Sequence, residues 1–545
     1  MLNNIKSVTH SLEKNTTFSL KVISLLLAAF AVTPLFILLY QATTTSVENW
    51  AWISRWNTLI IISRSVMLAI SVAFLSCFIA VPLAWLTTRT DLPLRKMWQI
   101  LTVLPLVIPS YIGAYLFISA IGPKGLIFHR LDQIMDIQYF PNLYGFDGCL
   151  IILSLLNYPY VLLTVRGAIN ELDPSLEDAA HTLGFSKIKT FTRITLPLIK
   201  PAIISGAILV ALYTLSDFGA VSILRYKTFT WSIYNQYNAS FNQGTAAMLS
   251  SLLFLVASAF LFTEVILKGK GDYFRTSTGS ARRQKVTELG NWRIPSFLFC
   301  VLIVLCSLLI PVTILIYWLI RVSDTVVPFG QLIDSTFNSV LLSSSTAIAI
   351  TILVIPVGIL ITSHRSIMST WLERTYFTSY ALPSIAVSLA LVVVGIKLGK
   401  PIYQSHFILI SGLIILFLPT GLSPIKIALL QVNPLIQESA LTLGRGYIHT
   451  TLSVTLPLIK RGLGMSFAIV FLVTMKELPA IMILSPLDFN TLTMSIWSYS
   501  TEAFFAQASI PALMLILIST APLAIIMGFS SENLQGINYR TSDYD

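Results

Sequence analysis

The chain alternates between long apolar runs and short polar segments. Twelve runs come close to the roughly 20 apolar residues that a helix needs to cross a hydrocarbon core. They lie at residues 19–41, 60–86, 97–121, 148–165, 200–222, 246–267, 294–320, 337–362, 375–396, 407–425, 462–484 and 508–529. The pattern predicts an all-α polytopic membrane protein with about 12 transmembrane helices. The first run is too long for the apolar core of a signal peptide and lacks a convincing small-x-small cleavage site. It is therefore read as the first span.

One polar segment occurs twice. Residues 173–200 read DPSLEDAAHTLGFSKIKTFTRITLPLIK, and residues 433–460 read NPLIQESALTLGRGYIHTTLSVTLPLIK. About half of the positions are identical without a gap, which marks an internal duplication. The twelve runs accordingly divide into two halves of six. Six is even, so both halves cross in the same sense and form a parallel repeat about an axis along the membrane normal. The predicted organisation is a first half over 1–267, a polar linker over 268–293, a second half over 294–530 and a tail over 531–545. The duplicated loops occupy about 170–200 and 430–460, and the first half carries extra residues in the outer loop 122–147.

Composition agrees with this picture. The chain is 55% hydrophobic and 11% charged, against about 25% charged in an average soluble domain. The net charge of +11 does not point to nucleic acid, because the basic residues sit in short loops between apolar runs. They instead set orientation. Lys and Arg collect after spans two, four, six and eight and in the N-terminal segment, which puts those loops and both termini in the cytoplasm. Lys397 and Lys400 are mild exceptions on the outer side. The four cysteines, Cys77, Cys149, Cys300 and Cys306, show no metal-ligand spacing and read as small hydrophobes.

The duplicated loop reads as a short helix. Pro174 and Pro434 suit its first turn, preceded by Asp173 and Asn433 as caps. Glu177, Asp178 and Glu438 place negative charge toward its positive end. Ala179 and Ala180, matched by Ser439 and Ala440, suggest a small-residue face that another protein can approach closely. Gly184 and Gly444 end the helix, and Pro197 and Pro457 open the next span. Connecting loops drift, so a loop kept twice suggests a docking surface used twice.

This loop resembles the EAA motif of binding-protein-dependent ABC importer permeases, in which EAA is followed by three residues, Gly and a later Leu-Pro. Here it stands as Asp178-Ala179-Ala180, Gly184 and Leu196-Pro197, and again as Glu438-Ser439-Ala440, Gly444 and Leu456-Pro457. Asp replaces Glu in the first copy, where Glu177 stands beside it, and Ser replaces Ala in the second. The resemblance implies the type I ABC importer permease fold. It implies that both loops are coupling helices for two cytoplasmic P-loop ATPase subunits. It also implies an external solute-binding protein and a bacterial inner-membrane location. No GxxxxGK[ST] occurs in the chain, so ATP falls to the partners and the chain is a permease, not an enzyme. No cofactor is expected on the chain, and no His cluster with metal spacing is present.

Two further strings, LSDFGAVSILRYKTFTWSIYNQY (215–237) and MKELPAIMILSPLDFNTLTMSIW (475–497), resemble the fused ferric-iron permeases of bacteria. Fused thiamine permeases are close relatives, and thiamine, or another small cationic or anionic solute, is the alternative substrate. Asp217 and Glu477 fall at the same offset near the outer ends of spans five and eleven. Acidic groups at membrane depth are costly, and a hard trivalent cation prefers oxygen ligands. Both are candidates for the translocation path. The alternative is that each caps a helix end. A more distant alternative is an ion-coupled secondary transporter, which would need ionisable groups deep within the spans and would leave the duplicated loop unexplained.

Overall fold

The computed structural model describes residues 2–44, 56–122, 125–126, 143–172, 174–238, 243–268, 286–321, 329–363, 366–399 and 401–539. Most of the outer loop 122–147 and the middle of the linker lie outside the described residues, as does Asp173. Nine helices among the described residues are long and apolar enough to cross a membrane alone. Two bent pairs bring the number to eleven, and Ser384–Leu398 is a shorter apolar helix. The expected all-helical polytopic fold is present.

In the first repeat the principal helices are α1 (Leu2–Thr44), α2 (Trp56–Arg89), α3 (Arg95–Leu101), α4 (Ser110–Ile121), α5 (Phe146–Glu171), α6 (Pro174–Thr182), α7 (Leu196–Ser216), α8 (Gly219–Ile223), α9 (Phe229–Asn238) and α10 (Gln243–Lys268). The second repeat contains α11 (Arg293–Val304), α12 (Ile310–Arg321), α13 (Phe329–Ser363), α14 (Ile367–Thr378), α15 (Ser384–Leu398), α16 (His406–Leu430), α17 (Pro434–Thr442), α18 (Lys460–Met475), α19 (Pro479–Leu484), α20 (Leu492–Thr501) and α21 (Phe505–Tyr539).

The chain packs as two compact units. One holds residues 45–327 and 496–516, and the other holds 1–44, 328–495 and 517–545. In the first, α2, α5 and α7 form the central bundle. In the second, α13, α16 and α18 do the same. These are the second, fourth and fifth spans of each repeat. The units do not follow the repeat boundaries, because the first span of each repeat packs in the other unit. Helix α1 lies against α13, α14 and α15, and the Tyr376 hydroxyl donates to the Ser24 carbonyl. Helix α12 lies against α4, and the Trp318 indole N–H donates to the Ser119 hydroxyl. The sequence repeat records a duplication, and the units record what packs with what.

Two expected spans are broken rather than straight, and two others are shortened. The third, expected as one helix over 97–121, bends by 97° at Ile108 and Pro109. Ile108 is extended (φ −80°, ψ 115°), as is Pro109 (φ −59°, ψ 147°). Proline lacks the N–H for the helical ladder and drives its predecessor out of the helical region. The ninth, expected over 375–396, breaks in the same way at Leu382 (φ −86°, ψ 110°) and Pro383 (φ −64°, ψ 141°). The fifth and eleventh spans end earlier than expected, at Ser216 and Met475. Short separate helices α8 and α19 follow.

Candidate functional site

Helices α6 and α17, the duplicated loops, have the same length and the same ending. Asn433 caps α17 by accepting from the Leu435 N–H at 3.0 Å. Gly184 has φ +80° and Gly444 φ +84°. At that point the Phe185 N–H donates to the Ala180 carbonyl at 3.0 Å, and the Arg445 N–H donates to the Ala440 carbonyl at 3.3 Å. These bonds span five residues, the closing bond of a Schellman motif, and they require the left-handed glycine. The helix therefore has a fixed end and a sharp turn, and nothing stands close to where a β-carbon would project from either glycine.

The expected small-residue face is only half exposed. Ala179 and Ser439 point outward, whereas Ala180 and Ala440 are buried. Small size at the buried positions lets each helix lie close to the chain that follows it, residues 187–195 and 447–455. The outward apolar groups are Leu183 and Leu443, 77% and 82% exposed, each immediately before the terminal glycine. Leu176 and Ile436 form a second exposed matching pair. Sequence reasoning passed over these residues, although two leucines held at one offset on a polar loop were the available signal.

Helix α6 is tied to the start of the next span, whereas α17 is tied to a turn set off from α18 by the short helix Leu456–Leu458 and a 73° bend. Pro197 therefore opens its span as expected, and Pro457 does not. The Thr195 hydroxyl donates to Glu177 Oε1 at 2.8 Å, and Gln437 Nε2 donates to the Thr455 hydroxyl at 3.1 Å. Positions 177 and 437 correspond, as do 195 and 455, and both threonines are buried. Thr195 and Thr455 lie in wide five-residue turns, Phe191–Thr195 and Thr451–Thr455. There the Leu196 N–H reaches Phe191 O, and the Leu456 N–H reaches Thr451 O. The prolines that follow, Pro197 and Pro457, donate no N–H and press on the carbonyl four residues earlier. The wide turn accommodates them.

Charge is distributed differently around the two ties. Glu177 also pairs with Arg89 at 3.6 Å, and Arg89 is 3% exposed. The guanidinium Nη2 donates to the Ile169 carbonyl in the last turn of α5 at 3.1 Å. A buried cation needs such partners. Glu438 was expected to bring charge to the start of α17. It lies beyond the first turn, which holds no acid, and Gln437 occupies the place of Glu177. In this unit the carboxylate sits instead on α14, where Glu373 pairs with Lys426 of α16. Lys426 corresponds to Arg166. Arg166 donates to the Gln99 carbonyl at 3.0 Å and to the hydroxyls of Thr87 and Thr102 at 3.3 and 3.2 Å. Set in register by Pro109 and Pro383, Gln99 corresponds to Glu373. Glu and Gln have exchanged places between the halves.

Asp217 and Glu477 stand at the breaks after α7 and α18. Asp217 Oδ1 accepts from the N–H groups of Ala220 and Val221 at 3.0 and 3.3 Å, and the Ser110 side chain also hydrogen-bonds the carboxylate. Glu477 Oε1 accepts from the Ala480 N–H at 3.3 Å. Both are half-buried and turned onto the first turn of the short helix that follows, the arrangement of a cap. A second duplicated device lies nearby. Thr228-Phe229-Thr230 and Thr491-Leu492-Thr493 each join their two hydroxyls, at 3.1 and 2.9 Å. The central N–H is held by Ser65 of α2 at 3.0 Å in one case and by Ser339 of α13 at 2.8 Å in the other. The Thr230 hydroxyl also donates to the Asp217 carbonyl at 2.6 Å. No group of three or more His, Cys, Asp or Glu that could hold a metal occurs among the described residues.

The family model for the binding-protein-dependent transport system inner membrane component matches residues 76–271. The chain is 30% identical over 473 residues to the Fe(3+)-transport system permease protein FbpB 2 of Haemophilus influenzae, covering 86% of this chain and 90% of that protein. It is 22% identical over 492 residues to the ferric transport system permease protein FbpB of Actinobacillus pleuropneumoniae, covering 86% and 70%. The molybdenum transport system permease protein ModB of Escherichia coli is 31% identical over 161 residues, 29% of this chain and 69% of that protein. A chain with this helical architecture, this loop and this extent of similarity belongs to the family of binding-protein-dependent transport system inner membrane components.

Proposed function

We propose that the chain is the permease of an ATP-driven importer for ferric iron. The observation that carries the coupling is the loop helix built twice with one geometry, ending at Gly184 and Gly444 and presenting Leu183 and Leu443 outward. A rigid helix with an apolar tip is suited to a cleft in another protein, where a buried aliphatic anchor supplies binding free energy. Two such helices fit two ATPase subunits on the cytoplasmic face, with both chain termini on that side. The chain binds no cofactor of its own, and ATP is used by the partners. The substrate assignment is supported by the two relatives that match over most of the chain, both ferric-iron transport permeases.

In this reading an external binding protein delivers the iron and supplies selectivity. Closure of the ATPases on ATP pushes α6 and α17. The tie through Thr195 passes that motion directly to the start of α7, and the tie through Thr455 passes it to α18 across the 73° bend at Ile459. Helices α7 and α18 are central helices of the two bundles. The bundles then alternate between outward and inward access. Asp217 and Glu477 fix the outer ends of those same spans, so they hold the path's shape through their caps.

The test is uptake of radiolabelled ferric iron, with labelled thiamine in parallel, in cells with and without the chain. Loss of iron uptake alone is expected. Loss of thiamine uptake alone would overturn the iron assignment and leave the permease assignment standing.

A further inference from the structure

The end of the linker between the halves is not a free strand. Val286–Leu289 lies alongside Arg89–Asp91, at the end of α2, in the one isolated β bridge among the described residues, Thr90 with Thr287. The Thr287 N–H donates to the Arg89 carbonyl at 2.8 Å, and the Asp91 N–H donates to the Thr287 carbonyl at 3.3 Å. The Leu289 N–H donates to Asp91 Oδ1 at 2.9 Å. Just beyond, Phe297 of α11 packs edge-on against Trp98 of α3, ring centroids 5.5 Å apart.

These bonds solve a problem at the end of α2. The last four carbonyls of a helix have no partner within it. Here the Thr90 hydroxyl donates to Leu86 O at 2.6 Å, and Gln99 Nε2 donates to Thr87 O at 2.8 Å. The Arg89 carbonyl is satisfied by the linker. Arg89 is the residue whose side chain reaches Glu177 on α6 and Ile169 O on α5. The linker's backbone thus fixes the residue that fixes the first loop helix. Nothing of the kind can act through charge at position 437, which is Gln.

We infer that the linker end, Val286–Leu289, is a brace for the first coupling helix, with Asp91 and Arg89 as its positioning residues. The inference rests on the reading of α6 and α17 as ATPase-docking helices. The brace sets the angle of α6 through Arg89. It couples the junction between the repeats to one ATPase contact and leaves the other contact independent of it.

The test uses the full chain in complex with its ATPase subunits. Native cysteines are replaced by alanine, and a photo-crosslinker is attached at Leu183→Cys or at Leu443→Cys. Thr287→Pro removes the N–H that Arg89 accepts from, and Thr287→Ala keeps it. Asp91→Ala removes the acceptor for Leu289, and Asp91→Asn keeps an oxygen there. Loss of one such bond is expected to lower crosslinking from position 183 about fivefold. Crosslinking from position 443 should not change, and the Thr287→Ala and Asp91→Asn variants should behave as the parent. If Thr287→Pro prevents insertion, the two substitutions of Asp91 carry the test alone. Equal loss at both positions, or no loss at either, overturns the brace. No crosslinking to an ATPase from either position in the parent chain would overturn the docking reading itself.

Discussion

The two loop helices share their length, their left-handed glycine and their exposed leucine, yet they are anchored by different chemistry. At α6 a carboxylate, Glu177, joins the helix to a buried Arg89 and to Thr195. At α17 an amide, Gln437, makes one neutral hydrogen bond to Thr455. The corresponding carboxylate of the second unit is Glu373 on α14, part-exposed and paired with Lys426. What the duplication kept is the backbone path and the outward surface. What it let vary is the ionic support behind them. On the proposed function the surface fits a partner twice, whereas the support need only hold the helix. The outward shape is shared by the two helices, while the support behind it is ionic at α6 and neutral at α17.

The largest effect should come from Arg89→Ala. It leaves the part-exposed Glu177 and the end of α5 without their cation, and loss of such charge-assisted bonds costs about 1.5–3 kcal/mol. The first coupling contact should be lost while the second persists, read by crosslinking from positions 183 and 443. Next are Gly184→Val and Gly444→Val. Each forces an L residue into φ near +80°, at about 1–2 kcal/mol or more. Because the glycine geometry is shared, both should weaken ATPase association alike, with insertion intact. A large difference between them would break the claimed equivalence of the two faces.

Glu177→Gln gives the first loop the second loop's residue. Transport should fall by about fivefold, in line with the weakening of one charge-assisted bond, and uptake should lose part of its sensitivity to salt. The smallest effect is expected from Asp217→Asn. Asparagine retains an acceptor for the Ala220 and Val221 N–H groups, so uptake kinetics should stay near the parent, while Asp217→Ala should lower thermal stability by about 1 kcal/mol. A severe transport defect in Asp217→Asn with normal stability would place the carboxylate on the path.

Much of this was legible in the sequence, because apolar length and a duplicated polar loop are strong signals. The helix at Pro174–Thr182 and its twin, the terminal glycines and the family followed from residues 173–200 and 433–460 alone. The broken spans were readable in part. Ile108-Pro109-Ser110 and Leu382-Pro383-Ser384 carry the signal, but hydropathy averaged over a window passes through a proline without noticing it. The exchange of α1 and α12 between the units was not legible, since an apolar helix does not say which apolar neighbour it chooses. Nor were Arg89 and Thr287. Arg89 reads as an ordinary loop cation until its partners 80 and more residues away are in place, and Thr287 acts only through its backbone.

The central claim is that two separate faces each hold one ATPase subunit. Native mass measurement of the detergent-solubilised complex tests it most directly. The parent chain should carry two ATPase subunits, Leu183→Asp or Leu443→Asp alone should carry one, and the double variant should carry none. Retention of two subunits by the double variant would contradict the account.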